Sequence, residues 1–137
     1  MLISAKTDYA VRALLILAAH EPEMVTVGTV ADEQDMPHVF VRTIINDLRR
    51  AELVRSLRGQ NGGYCLARAP AEITIGDVFR AMEGPLVDVH GLHPEETTYF
   101  GAAAHLTNVW IAMQESLQRV LDKTTLAHVL AGSPSLS

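Results

Sequence analysis

Residues 55–70, RSLRGQNGGYCLARAP, restrict the fold of this chain more than any other stretch. The flanking runs 53–57 and 64–67 are strand-like, and residues 59–63 between them are rich in glycine, which tolerates positive φ. This pattern predicts a β-hairpin with a glycine-rich tip. Arg55, Arg58 and Arg68 make the hairpin basic.

Helical periodicity dominates the chain before the hairpin. Apolar residues recur at helical spacing up to about residue 20, with Ser4 or Thr7 as the N-terminal cap. A short helix is predicted over about 28–34, with Thr26 as its cap. After a turn at 35–37, a third helix extends to about residue 51, and Pro37 suits its first position.

The third predicted helix has two different faces. Apolar side chains form the inner face, namely Phe40, Val41, Ile44, Ile45 and Leu48. Phe40 suits either face. Polar and basic side chains lie on or beside the outer face, namely His38, Arg42, Thr43, Asn46, Arg49 and Arg50. Two short helices joined by a tight turn, the second exposing such residues, are typical of a helix-turn-helix. The hairpin is then most simply the wing of a winged helix-turn-helix, the alternative being an ordinary surface hairpin.

The chain after the hairpin is predicted to be helical again. Thr74 caps a short helix over 76–83, which ends at Gly84 and Pro85, and residues 86–101 lack periodicity and are predicted to be loop. A long helix over 102–123 and a short one over 126–131 follow. The predicted fold is therefore mainly α with a small β-hairpin wing, divided into parts 1–85, 86–101 and 102–131.

The long helix carries a narrow apolar seam. Its members step by four and three residues, as in a coiled coil: Leu106, Trp110, Met113, Leu117 and Val120. A lone helix cannot bury such a seam, so another element has to cover it. The first helix, through Ala13, Leu14 and Leu17, is expected to cover part of it. A second copy related by two-fold symmetry is expected to cover the rest.

Charge is distributed unevenly along the chain. The net charge of −5 argues against nucleic acid, but residues 38–68 contain six arginines and only two acidic residues. From residue 71 onward there are eight acidic residues against Arg80, Arg119 and Lys123. A local basic segment on an acidic body indicates a face that meets phosphate, the alternative being a solvated surface.

Motifs for nucleophilic, phosphate-loop or zinc-protease chemistry are absent from the sequence, so an enzyme is not expected.

Cysteine content and hydropathy indicate the compartment. No apolar run reaches the roughly 18 residues of a membrane span, and the N-terminus does not resemble a signal peptide. A cytoplasmic protein without membrane association is therefore expected. Cys65 is the only cysteine, which excludes an intramolecular disulfide. Its position in the second strand of the hairpin is compatible with a buried thiol or with a redox-active one.

Several segments together resemble the Rrf2 family of bacterial winged-helix transcription regulators. They are SAKTDYAVRALLILA, VADEQDMPHVFVRTIINDL, LVRSLRGQNGGYCLARAPAEITIGDVFRAMEG and the helix after HLTNVW. The most specific part is RG-x-x-GGY-x-L followed by P-x-x-I-T-x-x-D-V. The resemblance covers residues 2 to about 130. It implies a homodimer of winged-helix domains, joined by the long helix and bound to a partly palindromic operator in double-stranded DNA.

The winged-helix interpretation assigns DNA contacts to particular residues. The first half of the third helix is expected to reach base edges in the major groove, through His38, Val39, Phe40, Arg42 and Thr43. Asn46, Arg49 and Arg50 are expected to meet phosphates. Arg55 and Arg58 supply charge and donors, and Arg58 with Gly59 is expected to place the wing in or beside the minor groove.

The chain departs from the family pattern at two places. Glu52 stands where the family usually has glycine before the wing strand. Residues 86–105, where cluster-binding members carry three cysteines, contain none. In their place are His90, His93 and His105, and Asp8 matches a position from which some relatives donate a carboxylate across the dimer. These four residues suit a metal ion or a haem, or, exceptionally, an iron–sulfur cluster without cysteine ligands. The alternative is polar surface with an organic effector or none.

The leading functional hypothesis is a dimeric, sequence-specific transcription regulator. It is expected to be a repressor that responds to a metal, redox or small-molecule signal through the sensor loop, residues 86–101. The alternative hypothesis is a winged-helix interaction module that acts through a partner enzyme.

Overall fold

The computed structural model describes residues 1–59 and 62–132. Its α-helices are α1 (Ala5–His20), α2 (Val27–Glu33), α3 (His38–Arg50), α4 (Ile75–Glu83), α5 (Leu106–Leu121) and α6 (Leu126–Ala131). Strands β1 (Val54–Leu57) and β2 (Gly63–Leu66) form an antiparallel pair between α3 and α4. Short 3-10 turns lie at Pro70–Glu72, Pro94–Glu96 and Gly101–Ala103. The predicted fold class is confirmed.

Hydroxyl side chains fix the starts of four helices. Ser4, Thr26, Thr74 and Thr125 each accept a hydrogen bond from the backbone N–H three residues later, which satisfies a donor that the first turn leaves unpaired. The prediction for α3 was wrong by one residue. Pro37 is the N-cap rather than the first helical residue, because its ψ of 128° is extended.

The core is built around α1. Ala10, Leu14 and Leu17 are fully buried, and the helix contacts α2, α3, α4 and α6. From α3 the core receives Val41, Ile44, Ile45 and Leu48. Because α3 buries this stripe against α1, its opposite face is directed outward.

The hairpin is attached to the helical body by a third extended segment. β1 and β2 pair in a register from Val54 opposite Leu66 to Leu57 opposite Gly63. Val25 and Tyr64 exchange backbone hydrogen bonds of 2.8 and 2.9 Å on the other edge of β2. A Cβ at Gly63 would lie 2.7 Å from the carbonyl oxygen of Val25, so this close approach requires glycine.

Helix α5 is shorter than the long helix predicted over 102–123. It begins at Leu106 instead of residue 102 and ends at Leu121, because residues 101–103 form a 3-10 turn and His105 has φ −99° and ψ 8°. The first helix is also not the main cover of this helix, as had been expected in part. α5 packs chiefly on α4 and on the 94–96 turn, whereas Ala13, Leu14 and Leu17 lie in the main core.

Candidate nucleic-acid interface

Helices α2 and α3 form the helix-turn-helix unit. The turn between them is anchored by Met36, which is buried and whose N–H donates to the Ala31 carbonyl at 2.8 Å. The buried stripe of α3 continues this anchoring along the helix. The unit therefore holds the outer face of α3 at a fixed angle to the body.

The outer face of α3 is open to solvent. Of the eight residues on this helix that were predicted to contact DNA, seven are exposed and Asn46 is half-buried. The exposed residues are His38, Val39, Phe40, Arg42, Thr43, Arg49 and Arg50. Of the two positions that the sequence left open for Phe40, the inner one is wrong, because the side chain is 60% exposed. Its ring instead lines an apolar groove between α1 and α3, together with Tyr9 and Ile44.

The charges on this face are mainly positive, and two of its arginines have no acidic partner among the described residues. Asp47, its one carboxylate, already lies 3.3 Å from the Lys6 ammonium and 3.5 Å from the Arg50 guanidinium. His38 lies 2.8 Å from Asp32 of the preceding helix. Within residues 1–59 and 62–132, neither Arg42 nor Arg49 has an acidic partner within 4 Å.

The wing lies beside α3. A cleft of about 440 Å³ between them is lined by Asn46 and Arg49 of the helix and by Arg58, Gly59 and Tyr64 of the hairpin. Arg55, Arg58 and Gly59 are exposed. The two tip residues, Gln60 and Asn61, belong to the predicted glycine-rich tip but lie outside the described residues. Helix α3 and the wing therefore form one continuous basic surface.

Cys65 lies in the wing, on the strand that pairs with β1. It is half-buried in β2 and lies directly opposite Arg55 of β1. The two interpretations of its thiol, as a packing residue or as a redox group, both stay predictions.

Glu52 ends α3 in a conformation that favours glycine. Its φ is +64°, and it follows the C-cap residue Ala51. The N–H of Glu52 donates to the Arg49 carbonyl and that of Leu53 to the Leu48 carbonyl, both at 3.0 Å, which is a Schellman motif. The left-handed backbone turns the chain directly into β1.

The four candidate metal ligands are not brought together within one chain. Asp8 is paired with Arg12 at 2.7 Å, and the His93 ring accepts a hydrogen bond at the start of the 94–96 turn. His90 and His105 are exposed, the first at a positive φ and the second next to α5. Among the described residues, no three His, Cys, Asp or Glu side chains converge as a metal site. The metal assignment stays a prediction that requires two chains.

The donor set does not fit a conventional iron–sulfur cluster. Such clusters are held by thiolates, and the chain has a single cysteine, Cys65. Cys65 lies in the wing rather than in residues 86–105.

Sequence reasoning missed two polar contacts that connect α4 to other helices. The Glu83 carboxylate accepts hydrogen bonds from the hydroxyls of Ser4 and Thr7, the latter at 2.8 Å, and these bonds hold the pKa of Glu83 below its ordinary value. The Arg80 guanidinium donates twice to Asp122 at 2.7 Å, which raises the pKa of Arg80. Both contacts join residues at least 42 positions apart, so no local sequence pattern predicts them.

Together, a helix-turn-helix, a basic wing and an outward-facing second helix define a winged helix-turn-helix DNA-binding protein. The chain belongs to the Rrf2 family, whose profile, described as "Iron-dependent Transcriptional regulator", matches residues 3–132. Its function is therefore transcription regulation through DNA, not enzymatic catalysis. None of the helices within residues 1–59 and 62–132 has both the length and the apolarity to cross a membrane.

Individual relatives agree with this assignment over nearly the whole chain. "Putative HTH-type transcriptional regulator Rv1287" of Mycobacterium tuberculosis is 43% identical over 97% of this chain and 83% of its own length. The solved structure of CymR (YrzC), the global cysteine regulator of Bacillus subtilis, has a TM-score of 0.82 at 30% identity and covers 97% of this chain and 98% of its own. T. potens IscR has a TM-score of 0.78 at 33% identity, with coverages of 96% and 88%.

Proposed function

We propose that two copies of this chain bind a partly palindromic operator and repress transcription from it. The observation that carries the proposal is the exposed basic surface made by α3 and the wing, on a chain whose remaining surface is acidic. A two-fold dimer would present two such surfaces to successive major grooves. Bound over a promoter, the dimer would exclude the transcription machinery.

Within this surface, position along α3 separates two kinds of contact. Val39, Arg42 and Thr43 lie in the first half of the helix, the part that enters the major groove in helix-turn-helix proteins. Arg49 lies in the last turn beside Arg58 and the cleft to the wing, where a phosphate backbone would run. Base contacts would give the specificity and the arginines would give the salt-dependent affinity.

The replacement Arg58→Ala tests the wing. We expect operator affinity to fall about tenfold, as for a lost hydrogen bond to a charged group, and the slope of affinity against salt to lessen by about one unit. The measurement is a fluorescence titration of a labelled operator at several salt concentrations.

Arg119→Ala is the matched control, because Arg119 is an exposed arginine on α5, outside the surface made by α3 and the wing, and its side chain donates a hydrogen bond to Ser116. Affinity unchanged within a factor of two in Arg58→Ala would refute the wing assignment. A wild-type chain without affinity for any duplex, but purified with a stoichiometric partner protein, would replace the regulator by the interaction module.

A further inference from the structure

We propose that Val39 and Thr43 read the 5-methyl groups of thymines in the operator. The inference rests on the proposed DNA-binding function and adds the base chemistry that the recognition helix selects. It follows from the exposure, spacing and hydrogen bonding of two side chains on α3.

Val39 is an apolar residue that does not belong to the core formed by the described residues. It is 76% exposed in the first turn of α3, while the apolar stripe that anchors the helix consists of other residues. A β-branched side chain also lowers helix propensity slightly. Exposed apolar side chains at such a position gain most by contact with an apolar group of a ligand.

Thr43 extends the same apolar spot. It lies four residues after Val39, and side chains at this spacing are neighbours on one face of a helix. Its hydroxyl donates to the Val39 carbonyl at 3.2 Å. Thr43 is exposed, and because its hydroxyl is already bonded back to the helix, its methyl group is the part that remains for contact with a ligand.

The major groove contains one apolar feature that matches this spot. It is the C5 methyl of thymine, which aliphatic side chains contact in direct readout. Guanine and adenine present acceptors and amino groups instead, and they would face the Val39 side chain without a partner. Arg42, between the two, remains available for a guanine edge or a phosphate.

The experiment begins with an operator selected from random duplexes by the full-length protein. Each thymine of one half-site is then replaced by deoxyuridine, which removes only the methyl group. We expect one or two positions to lose about fourfold in affinity, the value of one buried methyl-sized group. In the Val39→Ala variant, replacing thymine by deoxyuridine at one of those positions should no longer change the affinity.

Val129→Ala is the control variant, because Val129 is a partly exposed valine on α6, outside the DNA surface. It should keep the full response to deoxyuridine. The inference would be overturned, with the DNA-binding proposal intact, in either of two cases. In the first, the protein binds its operator tightly but no deoxyuridine replacement changes the affinity. In the second, the Val39→Ala variant loses as much affinity on each replacement as the wild type. Failure to select any duplex would overturn the DNA-binding proposal together with it.

Discussion

At the scale of single residues, Glu52 combines a side chain and a backbone conformation that do not suit each other. Its φ of +64° lies in the left-handed region, which costs a residue with a Cβ roughly 1–2 kcal/mol. The surrounding contacts hold it there, because the Schellman hydrogen bonds and the buried pair Leu48 and Leu53 fix the end of α3.

The replacement Glu52→Gly should therefore stabilise the protein. We expect the free energy of unfolding to rise by about 0.5–1 kcal/mol, since glycine removes the left-handed strain but adds some entropy to the unfolded chain. Urea denaturation followed by circular dichroism measures the change. Glu52→Ala keeps the Cβ and should bring no comparable gain; equal stabilisation by both replacements would contradict the conformational explanation.

At the scale of elements, the secondary structure could be read from the sequence wherever its signals are local. The caps Ser4, Thr26 and Thr74, the helix-turn-helix and the hairpin were all predicted, because hydroxyl caps, periodicity and glycine turns act within a few residues. The start of α5 was not predicted, because neither the 3-10 turn at 101–103 nor the backbone angles of His105 follow from the apolar pattern, and the same pattern left Phe40 suited to either face. The Glu83 contact had no sequence signal at all.

That contact joins the start of α1 to the end of α4, and it predicts a pH dependence. The folded state lowers the pKa of Glu83 from its ordinary 4.5, because the Ser4 and Thr7 hydroxyls favour the ionised carboxylate. The unfolded chain therefore binds more protons in this range. The stabilisation is complete above the ordinary pKa and is lost as the pH falls through the lowered value.

Comparison with Glu83→Gln isolates this effect. The wild type should be more stable than the variant near neutral pH, and the difference in free energy of unfolding should shrink below about pH 4.5. Urea titrations at a series of pH values measure it. Thr7→Val removes one donor with little change of shape, so the pH-dependent difference should be smaller in that background. A difference that is constant with pH would show that Glu83 acts through packing instead.

At the scale of the whole molecule, residues 86–101, the proposed sensor loop, are bonded to α5 by three side-chain contacts. Trp110 donates to the Tyr99 hydroxyl at 2.9 Å, Thr107 to the Thr97 carbonyl at 3.0 Å and Gln114 to Glu95 at 2.7 Å. The far end of α5 is held to α4 by Arg80 and Asp122. A signal that rearranges residues 86–101 would therefore act first on α5 and on whatever covers its exposed face.

That face is apolar and uncovered in the single chain. Val109, Met113 and Val120 are 44–54% exposed, and Phe100, just before the helix, is 84% exposed. Leu106, Trp110 and Leu117, the other members of the predicted seam, are half-buried. One chain thus leaves Met113 and Val120 of its seam exposed, which supports a second copy as the partner for them.

The replacement Met113→Asp should convert the dimer to a monomer, because it places a charge in the centre of the proposed interface. Met113 is already 44% exposed in one chain, so the monomer should keep its fold and its circular dichroism spectrum. Sedimentation at micromolar concentration measures the state, and operator affinity should fall with it, since one half-site is lost. Asn108→Asp introduces the same charge on the exposed polar side of α5 and should remain dimeric. A wild-type protein that sediments as a monomer would exclude α5 as a dimer interface.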